Sequence, residues 1–298
     1  MENRQEGESN RFERWHGDYQ THARAAFITT VLVGLGVLVS ITILQKGVDT
    51  STLHRFWLNQ GVKYSTICLV QVVCGLIVTH YDVKVNYTRK IVHMFYFLVP
   101  QLLDTEILPF QKNVYTELWN IVIIFCALIL IIEPFRKRIN LFSLMFKAID
   151  RPEDRPYTVF WFITQLAASI PIIACFSLVF DYYGKSDYVF IPILVLTIGD
   201  GLAEPVGTRF GKHKYTVRGF LVKTEYTRSI EGSMCVYLTS LASVLLYYND
   251  FNKASLAFAL ASMPILLTLT EAKSPHTWDN PLILLVGYLL LLGAHGVS

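Results

Sequence analysis

Asp200 and Glu204 stand in an otherwise apolar run and are followed closely by Gly207, Arg209, Gly211 and Lys212. A carboxylate at membrane depth is costly, so a function is the default reading of such a residue. Four glycines, Gly199, Gly201, Gly207 and Gly211, let a backbone approach a ligand closely, and the six Lys and Arg from Arg209 to Arg228 can face a polyphosphate. Acids beside bases and glycines point to a metal ion and a nucleotide held together. In a continuous helix, the i,i+4 spacing would put Asp200 and Glu204 on one face. Pro205 predicts instead a break or kink at Glu204. The plainer reading is a membrane span that ends in a basic loop.

Four further clusters carry polar chemistry. Arg89, Lys90 and His93 fall within about one helical turn, suited to gripping phosphate, although a snorkelling basic anchor beside a packed histidine has the same pattern. Arg151-Pro-Glu-Asp-Arg155 reads best as a solvated loop. In Arg228-Ser229-x-Glu231-Gly232 a base precedes a carboxylate by three residues; Ser229 or Thr227 can also cap a helix, with Glu231 acting on its dipole. Glu271 and Asp279-Asn280 bring carboxylates to facing ends of two apolar runs, which suits metal or proton chemistry at a phosphate, or simple capping. Trp119, Trp161 and Trp278 near the ends of runs fit an interfacial belt. The five cysteines lie singly in apolar segments, which argues against a zinc site or a disulfide framework. No Gly-x4-Gly-Lys-Ser/Thr loop, Gly-x-Ser-x-Gly elbow or His-Glu-x2-His motif occurs.

The elements that must position these residues are apolar. Of the 298 residues 53% are hydrophobic and 16% charged, against about 25% charged in soluble domains. The net charge of +3 gives no reason to expect nucleic acid as a partner. Residues 1–25 are hydrophilic and of mixed charge, and read as an uncleaved cytosolic tail. Apolar runs without Lys or Arg follow at about 26–45, 64–80, 91–108, 118–133, 158–181, 188–207, 233–248, 254–270 and 281–297. Most approach the roughly 17 to 25 residues that a spanning helix needs. If the chain changes sides at each run, 20 of the 26 Lys and Arg share the side of the N-terminal tail and 6 lie opposite. That bias predicts a cytosolic tail and cytosolic segments 134–157 and 208–232. The expectation is an all-α, polytopic membrane protein of about nine transmembrane helices, with 26–298 as one catalytic domain and its site mainly in 89–93 and 199–280. Every cluster above would then lie on the cytosolic side, where nucleotides are. Either a bacterial plasma membrane or an endoplasmic reticulum is compatible.

Taken in order, Arg89-Lys90-x2-His93, Gly199-Asp200-Gly201-x-Ala203-x3-Gly207 with Arg209-x-Gly211, Arg228-Ser229-x-Glu231-Gly232, and Glu271 with Asp279-Asn280 resemble the membrane-embedded polyprenol kinases, which phosphorylate dolichol, phytol and related lipid alcohols. The resemblance covers about residues 84–297. It implies an all-helical membrane fold, CTP as phosphoryl donor and a divalent metal, magnesium. On that basis Asp200 is expected as metal ligand, with Glu231 or Asp279 completing the metal site or accepting the hydroxyl proton. Arg209, Lys212 and Arg228 are expected to hold phosphates beside Gly199, Gly207, Gly211, Ser229 and Asn280, and Arg89, Lys90 and His93 to support the site. Arg228 stands where these kinases usually have Lys, which replaces a point charge by a fork. The related CDP-diacylglycerol synthases carry a Pro-Gly-His-Gly-Gly run that is absent from EAKSPHTWDNPLI here. Two alternatives stay open: transfer of a cytidylyl group to phosphatidic acid, and transport of a lipid phosphate or other anion without chemistry.

Overall fold

The computed structural model describes residues 49–111, 114–218, 225–275 and 278–296. The tail 1–25 and the apolar run 26–45 lie outside the described residues. The chain divides into two compact units, Met1–Asn59 with Leu108–Leu130, and Gln60–Ile107 with Ile131–Ser298. All residues of the candidate site belong to the second unit.

The described chain is mostly helical. In order the helices are α1 (Thr50–Tyr81), α2 (Val85–Leu102), α3 (Val114–Leu130), α4 (Glu133–Arg136), α5 (Asn140–Lys147), α6 (Thr158–Tyr182), α7 (Phe190–Leu194), α8 (Gly201–Phe210), α9 (Ile230–Leu246), α10 (Lys253–Lys273) and α11 (Asp279–Gly296). Each apolar run within the described residues falls on one of them or on a continuation of it. Five helical segments are long and apolar enough to cross a membrane: Thr50–Tyr81, Thr158–Tyr182, Ser186–Phe210, Lys253–Lys273 and Asp279–Gly296. The runs at 118–133 and 233–248 correspond to the 17-residue helices α3 and α9.

Two local features depart from the sequence expectation. The segment 208–232, expected as a basic loop, contains an antiparallel ribbon of β1 (Lys214–Arg218) and β2 (Glu225–Ser229), in register Lys214 to Ser229 and Arg218 to Glu225. Its Tyr, Thr and Val residues favour a pleated surface, so the all-α expectation omits a two-stranded element. The second departure is at Pro205, which does not interrupt the helix: α8 runs through it to Phe210. The irregularity lies upstream, where Val195–Asp200 forms a π-turn between α7 and α8. Thr197 donates its hydroxyl to the Ile193 carbonyl at 2.7 Å, a back-bond of the kind that bends helices. Such π-turns recur at functional sites.

The core of the second unit is formed by α7, the π-turn, α9, α10 and α11. Ile191, Leu196, Val236, Met263, Leu267 and Tyr288 are buried there completely. Stacking of Phe176 on Tyr288, with ring centroids 5.0 Å apart, ties α6 to this core. In the first unit Tyr115 and Val122 are buried against Leu53 and Trp119.

Candidate functional site

The segment Gly199–Gly207 presents two faces with different chemistry. Gly199, Ala203 and Gly207, spaced i,i+4,i+8, turn toward α9 and β2. A Cβ on Gly199 would lie 3.0 Å from the Val236 Cα, and one on Gly207 would lie 2.7 Å from the Ser229 Oγ. Gly232 answers from the other side, where a Cβ would stand 2.5 Å from the Ala203 carbonyl oxygen. Gly211 is equally enclosed, by the Gly207 carbonyl and the Ser229 side chain. Of the glycines expected to admit a ligand, Gly199 and Gly211 are thus closed in by neighbouring backbone, Gly207 by the Ser229 side chain, and Gly201 by the side chain of Met94. Ser229 caps α9, its Oγ accepting the Gly232 N–H at 3.1 Å.

The other face carries Asp200 and Glu204, and it meets α2. Asn86, Arg89, Lys90 and His93 recur at i,i+3,i+4,i+7 and so share one side of that helix. The Lys90 ammonium lies 2.7 Å from Asp200 Oδ2, with the two residues only 6% and 2% exposed. The His93 Nε2 is 3.4 Å from the same oxygen and 3.3 Å from the Leu196 carbonyl that the π-turn presents. One turn along, Glu204 accepts from Asn86 at 2.7 Å, from Arg151 at 2.7 Å and from Arg89. Arg151 also grips Asp154 through two bonds of 3.0 and 2.9 Å. Burial works against the Arg151 charge, but Glu204 and Asp154 outweigh it and hold the guanidinium charged more firmly than usual. The Arg151–Arg155 segment, expected as a solvated loop, thus places Arg151 inside the cluster.

A second group gathers at the facing ends of β2, α10 and α11. Arg228 reaches Glu271 at 2.8 Å and Asp279 at 3.0 Å, and also bonds the Glu271 carbonyl. Ser233 donates to the other Glu271 oxygen at 2.8 Å and in turn takes the Tyr215 hydroxyl at 2.7 Å. Burial opposes the Arg228 charge; the carboxylates of Asp279 and Glu271, with Asp200 behind them, overcome that and raise its basicity. Asn280 binds Gln165 of α6 at 2.9 Å.

Two of the four motif regions therefore meet in the Lys90–Asp200 group, and the other two meet in the Arg228–Glu271–Asp279 group. Glu231, Arg209 and Lys212 stand apart from both. Glu231 binds the His213 backbone N–H at 3.2 Å and its Nδ1 at 2.9 Å. Its own backbone N–H and His213 pull the carboxyl down to about 2. Arg209 is exposed, its guanidinium 5.6 Å from the Phe210 ring centroid, and Lys212 is exposed beyond it. Asn86, Arg151, Asp154, Gln165, His213, Tyr215 and Ser233 were not assigned roles from the sequence. Only Asn86 carried a readable signal, its spacing from Arg89, Lys90 and His93.

For a metal ion, the donor set is mixed. Among the described residues no three His, Cys, Asp or Glu side chains converge as an all-protein metal cage would require. Asp200 and Glu231 have separate partners, so the expected pair of metal ligands is not assembled. Magnesium usually keeps waters and takes one or two carboxylates together with substrate phosphates. An ion of that kind, arriving on a nucleotide, needs a single protein carboxylate, which Asp200 can supply. No protein-family model, curated protein or solved structure matches this chain.

Proposed function

We propose that this chain is an integral membrane kinase that moves the terminal phosphate of a nucleotide, CTP, to the hydroxyl of a lipid alcohol such as a polyprenol, phytol, dolichol or diacylglycerol. The observation that carries this reading is the pair of charged groups Lys90–Asp200 and Arg228–Glu271–Asp279. Charges kept among apolar helices are costly, and here α2 meets the π-turn in one such group and β2 meets α10 and α11 in another. The reading includes about nine crossings, with the N-terminal tail and the segments 134–157 and 208–232 on the cytosolic side, as the Lys and Arg bias favours.

Phosphoryl transfer asks a protein mainly for positioning and charge neutralisation. The lipid oxygen attacks the γ-phosphorus, the bond to the β-phosphate oxygen breaks, CDP leaves, and the hydroxyl proton passes to a carboxylate, for which Asp279 and Glu231 are the candidates. Arg228, Arg209 and Lys212 bind phosphates, and Arg89 and His93 brace Asp200 and Glu204. Magnesium, with Asp200 as its protein ligand, would supply charge neutralisation on the donor phosphates. Purified protein given CTP, magnesium and a panel of phytol, dolichol, undecaprenol and diacylglycerol is expected to phosphorylate at least one. Inactivity with every alcohol and every nucleotide refutes the proposal.

A further inference from the structure

In the two groups the buried and half-buried acids outnumber the bases. Lys90, Arg89, Arg151 and Arg228 face Asp154, Asp200, Glu204, Glu271 and Asp279, four positive charges against five negative. Such a cluster is not a ready-made phosphate site, because each base is already committed to a carboxylate. A nucleotide triphosphate brought alone would meet a net negative wall. A cation brought alone would meet Asp200 with an ammonium in place. Within that pair the geometry is one-sided: Lys90 and His93 both meet Oδ2, and no described residue bonds Oδ1. Lys90 reaches Asp200 from α2, through a long stem with freely rotating bonds, whereas Arg151 and Arg228 are each held by two carboxylates.

From this we propose that Lys90 is an exchangeable counter-ion which blocks a divalent cation from Asp200 in the resting protein. It surrenders that carboxylate only when phosphates arrive to take the ammonium. This rests on the kinase reading for the identity of the phosphates, but the exchange is a property of the Lys90–Asp200 pair itself. Nucleotide and metal then bind with positive coupling, since each relieves the charge that the other leaves behind, and the coupling is reciprocal. The device keeps the metal site closed in the absence of donor, so a loaded metal and a donor phosphate are always present together.

The test is Mn2+ binding by the full-length protein in detergent, followed by the loss of the free-ion paramagnetic signal, with no nucleotide present. Lys90→Gln removes the competing charge and is expected to tighten Mn2+ binding about tenfold or more, as expected for a full charge withdrawn at contact distance. The double variant Lys90→Gln with Asp200→Asn is expected to lose that gain. Because Lys90→Gln leaves a buried carboxylate unpaired, it is purified with Mn2+, and its thermal midpoint is expected to rise with Mn2+ far more than that of the unaltered protein. A Lys90→Gln protein that binds Mn2+ no tighter, or that Mn2+ does not stabilise, overturns the inference and shows Lys90 to be a structural partner only. Neither result depends on turnover, so a failure here is separate from a failure of the kinase reading.

Discussion

Asp200→Asn is the substitution whose outcome the structure changes most. From the sequence, a neutral residue at membrane depth should be easier to accommodate. In the structure the partner is Lys90, 2.7 Å away and equally buried. Removing one member of a buried pair leaves the other charged and unsolvated, at a cost of about 3–5 kcal/mol. Asp200→Asn and Lys90→Met are each expected to lose about that much. Replacing both members by near-isosteric uncharged residues is commonly neutral or favourable, so the double variant is expected within about 1 kcal/mol of the unaltered protein. Reversible unfolding in mixed micelles measures all four proteins, and the same preparations are assayed for phosphorylation. Stability should return in the double variant while activity stays absent. Single variants as stable as the unaltered protein, or a double variant with the summed loss of both, would refute the pairing.

Gly232→Ala sets a Cβ 2.5 Å from the Ala203 carbonyl and is expected to cost about 1–3 kcal/mol by overpacking, whereas Gly61→Ala, with open space around it in α1, is expected to gain up to about 1 kcal/mol; unfolding midpoints compare them. Arg228→Lys keeps the charge but loses the fork that spans Glu271 and Asp279, and is expected to cost about 1–3 kcal/mol with a marked fall in turnover; a variant with normal kinetics would remove Arg228 from the site. The Glu231 carboxyl is held at about 2, below its ordinary 4.5, so the stability it contributes is present above about pH 4.5 and is lost as pH falls toward 2; Glu231→Gln should flatten that part of the stability profile.

Much of this architecture is legible in the sequence because long apolar helices announce themselves by uninterrupted apolar length, and the runs at 158–181, 188–207, 254–270 and 281–297 coincide with α6, the Ser186–Phe210 segment, α10 and α11. The β1–β2 ribbon was obscured by its charges: Lys214, Arg218, Glu225 and Arg228 draw the eye to a basic loop, while the alternating Tyr, Thr and Val between them are the strand signal. Pro205 predicted a break, yet α8 runs through it and the irregular turn lies upstream at Val195–Asp200. For the site, residue types and order identify the participants but not their pairing. Nothing local joins Lys90 to Asp200 or Arg151 to Glu204, whose partners are 110 and 53 residues apart. Local spacing also gave the glycines a ligand to approach, where the tertiary structure sets Gly199 against α9, Gly207 and Gly211 against Ser229, and Gly201 against Met94.

The most direct test of the account follows the label from CTP into a lipid extract. Purified protein, magnesium and a lipid alcohol are incubated in parallel with CTP labelled at its γ- or its α-phosphate. The account predicts γ-label in the lipid phase, with the α-label remaining in water as CDP, and loss of both products in Asp200→Asn. Lipid-borne α-label with aqueous pyrophosphate, or no lipid label from either nucleotide, would contradict it.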